Sequence, residues 1–425
     1  MHWQRPLTGI ERWHWLFDRA APMNLVLVAR VRGRFDHQRL SAALAALADH
    51  YPTLTAGIEP DDRPQFVASA QEVPLRVQPW EEGAWRAAAV RQVNERVPAR
   101  RGPLMRAVLL DGPQHSDLLL VFHQAVVDGL SGALILDEAL AMYGGGPRAA
   151  MAAPEVLAPP LENVLGPRLA ALRTTLREIP RMRRLTPLPP HELAPPEQRR
   201  TALLDASIPS SSTAQLAAHA SAHGSSVHGA LAAATLLSIG TELRGREHAR
   251  RLALGCATPV DLRRRADLPA GLVGNLVSRV VGYHRVHYDT LFWDLAAEVS
   301  ETIRHAGADG AALAYACMKE SKAIGVSDAA LARRVGKSER FNRAAAIVNN
   351  LGLLEPYPRY GDVTLERLGL LVSANAYVGS SLVLSAVTFG DTTCLNFTFA
   401  DPLLEPARAQ RLVDGTLERL EEAAS

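Results

Sequence analysis

Val121-Phe-His-Gln-Ala-Val-Val-Asp-Gly129 is the stretch on which the reading of this chain turns. Ahead of it, Asp117-Leu-Leu-Leu-Val-Phe-His123 is a short apolar run of strand length, joined to a second such run, Leu104–Leu110, by the turn residues Asp111-Gly-Pro-Gln. Behind it, Leu130–Tyr143 has helical character, with Leu134, Leu136, Leu140 and Met142 available for burial. A strand therefore delivers a histidine, a short turn ends in Asp-Gly, and a helix begins at once. Two arrangements fit that pattern equally. His123 is a general base with Asp128 as a nearby orienting charge, or His123 is a buried structural residue and Asp128 caps the helix.

Outward from this stretch, the first half reads as a strand at Asn24–Arg32 and a helix whose apolar stripe is Leu40, Ala43, Leu44 and Leu47. Short strand candidates follow at 53–58, 65–67 and 75–77, with an Ala/Arg-rich helix over 81–97. Residues 150–200 differ in kind. Their many prolines block helix interiors and central strands, leaving one amphipathic helix, Pro167–Ile179. The second half restarts at Ala202–Ile208. Ser212-x-x-Gln215 has the capping-box pattern for a helix to Ala222, and Ser226 opens another to Leu243. Strands at Arg251–Thr258 and Leu276–His287, a helix at Leu291–His305, late strands at 345–348, 368–372, 381–389 and 394–399, and a last helix at Glu405–Glu422 complete it. Strands and helices mix without regular βαβ alternation, which predicts two α+β domains, 1–150 and 201–425, joined by a Pro-rich crossover at 151–200.

Composition removes several function classes. The 425 residues carry 46 Lys+Arg against 44 Asp+Glu, so a uniform basic field for nucleic acid is absent. With 48% hydrophobic and 21% charged residues the chain is globular. Cys256, Cys317 and Cys394 are too few and too scattered for a disulfide framework or a zinc site, which points to a reducing cytoplasm. No window is long and apolar enough for a membrane span, and the start, MHWQRPLTGIERWHWLF, lacks a basic segment followed by an apolar run.

Other motifs yield no cofactor or metal. His219 and His223 stand at i, i+4 but without the Glu of HExxH. His284 and His287 fall on opposite faces of a strand. Gly129-Leu-Ser-Gly132 misses the G-x-S-x-G spacing, and Gly144–Gly146 has no GK[ST] after it.

With these residues in view, the chain resembles the HHxxxDG acyltransferase superfamily, and within it the polyketide-associated acyltransferases of bacteria. The likeness runs over nearly the whole length. It rests on Arg5-Pro-Leu-Thr-Gly-Ile-Glu11, Val31-Arg-Gly-Arg-Phe-Asp36, Tyr51-Pro-Thr-Leu54, the motif stretch itself, Thr258-Pro-Val-Asp-Leu-Arg263 with Gly274-Asn275, and Asn349-Asn-Leu-Gly352. The resemblance implies two chloramphenicol-acetyltransferase-like domains forming a V around a central channel. In such enzymes the second His of the motif is the base that deprotonates a hydroxyl or amine attacking a thioester, while the Asp pairs with an Arg of the second domain. Here the first His matches His123, Asp128 and Gly129 match, and Arg263 is the implied partner. Gln124 occupies the place of the second His. A neutral amide can donate and accept hydrogen bonds but takes no proton near pH 7, and in an extended segment His123 points away from the channel.

The candidate residues are thus His123 and Gln124 for chemistry, Asp128, Gly129 and Arg263 for the frame, and Ser131, Asn349 and Asn350 for substrate contact. Three readings stay open: acyl transfer from a coenzyme A or carrier-protein thioester, a repurposed cyclisation or isomerisation without acyl transfer, and a non-catalytic docking protein. The expected partners are a small-molecule or acyl substrate and an acyl or peptidyl carrier protein, with neither nucleic acid nor membrane.

Overall fold

The computed structural model describes residues 3–60, 63–145, 180–181, 183–245, 251–309, 343–354, 359–375, 379 and 381–425. Helix Pro167–Ile179, much of the Pro-rich crossover, Cys317 and Ser380 lie outside the described residues.

In chain order the first half gives β1 (Gln4–Pro6), α1 (Gly9–Asp18), β2 (Asn24–Arg32), α2 (His37–His50), β3 (Gly57–Glu59), β4 (Gln65–Val67), β5 (Leu75–Pro79), α3 (Ala84–Asn94), β6 (Met105–Asp111), β7 (His115–His123) and α4 (Gly129–Gly144). The second gives β8 (Arg200–Pro209), α5 (Ser210–Ala222), α6 (Val227–Arg244), β9 (Leu252–Asp261), β10 (Val277–Val286), α7 (Phe292–Asp309), β11 (Ala346–Leu353), β12 (Arg359–Tyr360), β13 (Val363–Val372), β14 (Leu382–Phe389), β15 (Thr392–Asp401) and α8 (Pro406–Ala424).

The fold is α+β in two lobes, each built on a six-stranded sheet. In the first lobe the order is β12-β13-β2-β7-β6-β5. Its centre explains the continuous apolar run of β7: Leu118–Phe122 are all fully buried because both faces of the strand are covered. The stripe on α2 packs inward as its spacing predicts, and Asp36 caps the helix by accepting from the Gln38 and Arg39 amides. The aromatic N-terminus is itself a helix, α1, opened by a reciprocal capping box in which Thr8 and Glu11 each accept the other's main-chain N–H. Trp13, Trp15, Leu16 and Phe17 are buried from it.

The second lobe's sheet runs β10-β9-β11-β14-β15-β8. Helix α6 is buried along most of its length by small and branched residues, and Ser226 caps it through Gly229 N–H at 3.1 Å. Two expectations are corrected here. The capping-box pattern at Ser212 is not used: α5 already begins at Ser210 behind Pro209, so Ser212 lies within its first turn. The boundary of 201–425 also fails as a closed unit, because Arg359–Val372 leave the second half to pair with β2. The physical reason is that β2, paired with β7 on one edge, would otherwise bury the main-chain N–H and C=O groups of its other edge unpaired. Leu365, Leu368, Leu370 and Leu371 supply buried cover on that side.

Candidate active site

The motif turn hangs between β7 and α4, and residues from both lobes hold it. His123 ends β7 opposite Asn24. The Gln124 N–H donates to Met23 O at 2.8 Å. Asp128 then caps α4, its Oδ1 accepting from Ser131 N–H at 2.7 Å. All three contacts are local to the first lobe and follow from a strand–turn–helix connection.

The second lobe enters through the loop between β9 and β10. Arg263, at the start of that loop and almost fully buried, places Nη2 3.1 Å from Asp128 Oδ2 and 2.6 Å from Ser131 Oγ. Its Nε donates to Leu272 O at 2.9 Å and its Nη1 to Asp261 Oδ1 at 2.6 Å. The loop's far end returns the contact. Leu276 N–H donates to Asp128 Oδ2 at 2.9 Å, and Asp128 N–H donates to Gly274 O at 3.2 Å. Ser131 Oγ donates to Gly274 O at 2.7 Å and accepts from Gly274 N–H at 3.0 Å. Asp128 and Arg263 therefore form a buried, hydrogen-bonded ion pair across the lobes, the arrangement in which desolvation of both charges is best offset.

This network corrects one expectation. Ser131 is fully buried, and its hydroxyl donates once and accepts twice within the junction. No lone pair or hydrogen remains for a substrate, so Ser131 is a strut between the lobes.

His123 is wholly enclosed. Its Nδ1 accepts from Ala125 N–H at 3.0 Å, so the neutral ring carries its proton on Nε2, which lies 3.8 Å from Asp18 Oδ1, beyond hydrogen-bond length. Asp18 is itself engaged by Met23 N–H and by Arg96 at 2.6 Å. Burial pushes the His123 pKa down, and the Asp18 carboxylate only partly opposes this. The imidazole is thus held neutral inside the first lobe, on the α1 side of the strand end. The extended course expected through Gln124 is not kept: the strand ends at His123, and a tight turn closed by Val126 N–H to His123 O at 3.1 Å carries Gln124.

Gln124 is also buried, and its Oε1 has no hydrogen-bond donor among the described residues. Its main-chain oxygen accepts from Asn275 Nδ2 at 2.6 Å, and the same nitrogen lies 3.1 Å from His14 Nδ1 on α1. Asn275 and His14 were not among the candidate residues. Asn275 had a signal in its Gly274-Asn275 pairing, whereas nothing in the periodicity of 9–18 marks His14.

Gly129 sits so close to the end of β11 that a Cβ there would lie 3.0 Å from Leu351 Cδ2, which brings that strand end to the motif. Asn349 and Asn350, just before Leu351, are half-buried. Asn349 Nδ2 donates to Ser385 Oγ at 3.1 Å, and Asn350 Oδ1 accepts from Gly352 N–H at 2.9 Å. Among the described residues no group of three or more His, Cys, Asp or Glu is placed to hold a metal ion, and no helix is long and apolar enough to cross a membrane. His223, one of the histidines weighed for metal, stacks on Trp293.

Comparison with known proteins agrees with this architecture. The condensation-domain family model matches residues 13–154, and the model for the C-terminus of phthiocerol/phthiodiolone dimycocerosyl transferase matches residues 198–403. No curated protein sequence matches. Among solved structures, polyketide synthase associated protein 5 from Mycobacterium tuberculosis shares the fold at TM-score 0.67 and 17% identity, over 99% of both chains. The trichothecene 15-O-acetyltransferase of Fusarium sporotrichioides does so at 0.76 and 13%, over 99% of this chain and 96% of that one. The epimerization domain from the third module of tyrocidine synthetase B matches at 0.71 and 16%, over 100% and 96%. With the condensation-domain model on the first half, the dimycocerosyl transferase model on the second and a shared two-lobed fold along its length, the chain is similar to condensation domains and to polyketide-associated acyltransferases.

Proposed function

We propose that the protein transfers an acyl group from a coenzyme A or carrier-protein thioester to a hydroxyl or amine in specialised metabolism, with Gln124 orienting the nucleophile instead of deprotonating it. The observation that supports this most is the condition of Gln124. Its main chain is gripped by both lobes, through Met23 O and Asn275 Nδ2, while its buried Oε1 has no donor among the described residues. An acceptor on a fixed main chain, with no donor among the described residues, suits a substrate N–H or O–H. A thioester is already activated, so positioning can accelerate attack without a strong base. General base catalysis typically adds roughly 10²–10⁴-fold to a rate, which is the deficit such an enzyme accepts. The carrier protein stands as the proposed partner and a cytoplasmic location as the proposed compartment.

The test is release of free thiol from an acyl thioester by the purified protein in the presence of an acceptor. Transfer by the wild type, reduced in Gln124→Ala, supports the reading. A thiol signal that is absent, or unaffected by Gln124→Ala, overturns it.

A second reading, donor-free cyclisation or isomerisation of a pathway intermediate, draws on the same replacement of an ionisable base by an amide. Likeness in fold to an epimerization domain is consistent with it. Product formed from an intermediate with no thioester donor present would favour this reading over acyl transfer.

A further inference from the structure

Asn275 has no role assigned by the motif, yet it is buried at the meeting point of the lobes. Its flanking residues, Gly274 and Leu276, are bound to Asp128 and Ser131 through their main chains, so its side chain has a fixed root. The amide orientation is fixed as well. Gln124 O can only accept, so the atom 2.6 Å away must be the donor Nδ2. His14 Nδ1 lies on that same nitrogen at 3.1 Å. Oδ1 is thereby turned to the other side, and it has no donor among the described residues. Gln124 Oε1 is in the same condition. Two buried amide oxygens, on residues joined by one hydrogen bond, are both left as acceptors. Burial of such atoms is unfavourable unless something supplies hydrogens.

We propose that Asn275 is a specificity-determining residue: its Oδ1, together with Gln124 Oε1, accepts the two hydrogens of a primary amine nucleophile and so favours amines over alcohols. A neutral primary amine satisfies both oxygens and keeps its lone pair for attack. An alcohol has one hydrogen and leaves one oxygen unpaired, the situation in which a polar site discriminates most strongly. In the step itself the amine lone pair forms a C–N bond to the thioester carbonyl carbon and the C–S bond breaks. The sulfur leaves with the electron pair, and the proton lost by nitrogen ends on the thiolate, giving an amide and a free thiol. An amine also needs no base as strong as an alcohol does, which fits the absence of an imidazole at position 124.

This inference rests on the acyl-transfer reading, and its test separates the two. The isosteric probes 2-phenylethylamine and 2-phenylethanol compete for acyl groups from octanoyl-N-acetylcysteamine, and the amide-to-ester ratio is corrected for the uncatalysed reaction. The wild type should favour the amide at least tenfold. Asn275→Ala and Asn275→Asp both lose the donor to Gln124 O, so a purely structural role makes them alike. An acceptor role makes them differ: the carboxylate keeps the amine preference and alanine lowers it at least tenfold. Should both fail to fold, Gln124→Leu, which retains the main-chain bond to Asn275, should also lower the ratio. Equal ratios in wild type, Asn275→Ala and Asn275→Asp overturn the proposal, as does an unchanged ratio in Gln124→Leu. If the wild type acylates neither probe, the acyl-transfer reading falls. Calorimetric binding then decides the role of Asn275, which requires tighter binding of 2-phenylethylamine than of 2-phenylethanol and loss of that difference in Asn275→Ala.

Discussion

Arg263 of the second lobe and Asp128 of the first meet with Nη2 3.1 Å from Oδ2, both side chains shut off from solvent. They are 135 positions apart in sequence, so the contact closes the two lobes on the motif turn. Removing Arg263 leaves the buried Asp128 carboxylate without a cation, which typically costs about 3–5 kcal/mol, whereas removing Asp128 leaves Arg263 its second carboxylate, Asp261. Arg263→Ala should therefore lower the unfolding free energy by that order and Asp128→Ala by less. The double variant should cost well below the sum. Thermal and denaturant unfolding of the four proteins in a double-mutant cycle measures this, and strict additivity would refute the pairing.

Ser131→Ala tests whether that residue is a strut. It removes one hydroxyl, leaves Gly274 N–H and an Arg263 N–H without their partner, and leaves Gly274 O with the Asp128 N–H alone. Loss of about 1–3 kcal/mol of stability is expected for buried groups left unpaired. The KM for an acceptor substrate should stay within twofold. A raised KM with unchanged stability would restore Ser131 as a substrate contact.

Gln124→His places an ionisable group where the family resemblance implies a base. Acyl transfer should rise, up to the roughly 10²–10⁴-fold that general base catalysis supplies, and become dependent on pH through the imidazole range. Thiol release followed from pH 5 to 9, roughly the range over which a histidine titrates, gives the profile. A variant as slow as Gln124→Ala at every pH would show that an imidazole at this position does not act as the base.

Acid should destabilise the fold through histidines that it holds neutral. Burial lowers the pKa of His123 and pushes His228, which bonds Thr258 Oγ1 through Nε2, down to about 4. In the unfolded chain both sit near about 6.5. Below that value the unfolded chain takes up protons that the folded one does not, so stability is full above about pH 6.5 and falls as pH drops toward the folded values. Melting temperature recorded across this window should decline on the acid side. His228→Asn should flatten part of the slope, and an unchanged slope would count against His228 as a contributor.

Much of the fold was legible because its signals are local. Asn24–Arg32, the stripe on α2 and the Ser226 cap depend on neighbours within a few residues, and each stands where its pattern put it. The capping box at Ser212 shows the limit of such signals: a strong short pattern gave way when the helix began two residues earlier. The pairing of β13 with β2 was not legible, because no local feature of 363–372 says which sheet it will complete.

The site divides in the same way. By itself the sequence determined the motif turn, the substitution of Gln124 for an ionisable base and, by resemblance, Arg263 as the partner of Asp128. These depend on residue identity and order. Tertiary structure alone decided that the His123 imidazole is enclosed against Asp18, that Ser131 is used up within the junction, and that Asn275 and His14 converge on Gln124. The physical reason is that hydrogen-bond saturation and desolvation are properties of what surrounds an atom. Here those surroundings come from α1, the motif turn and the loop of the opposite lobe, which no spacing along the chain brings together.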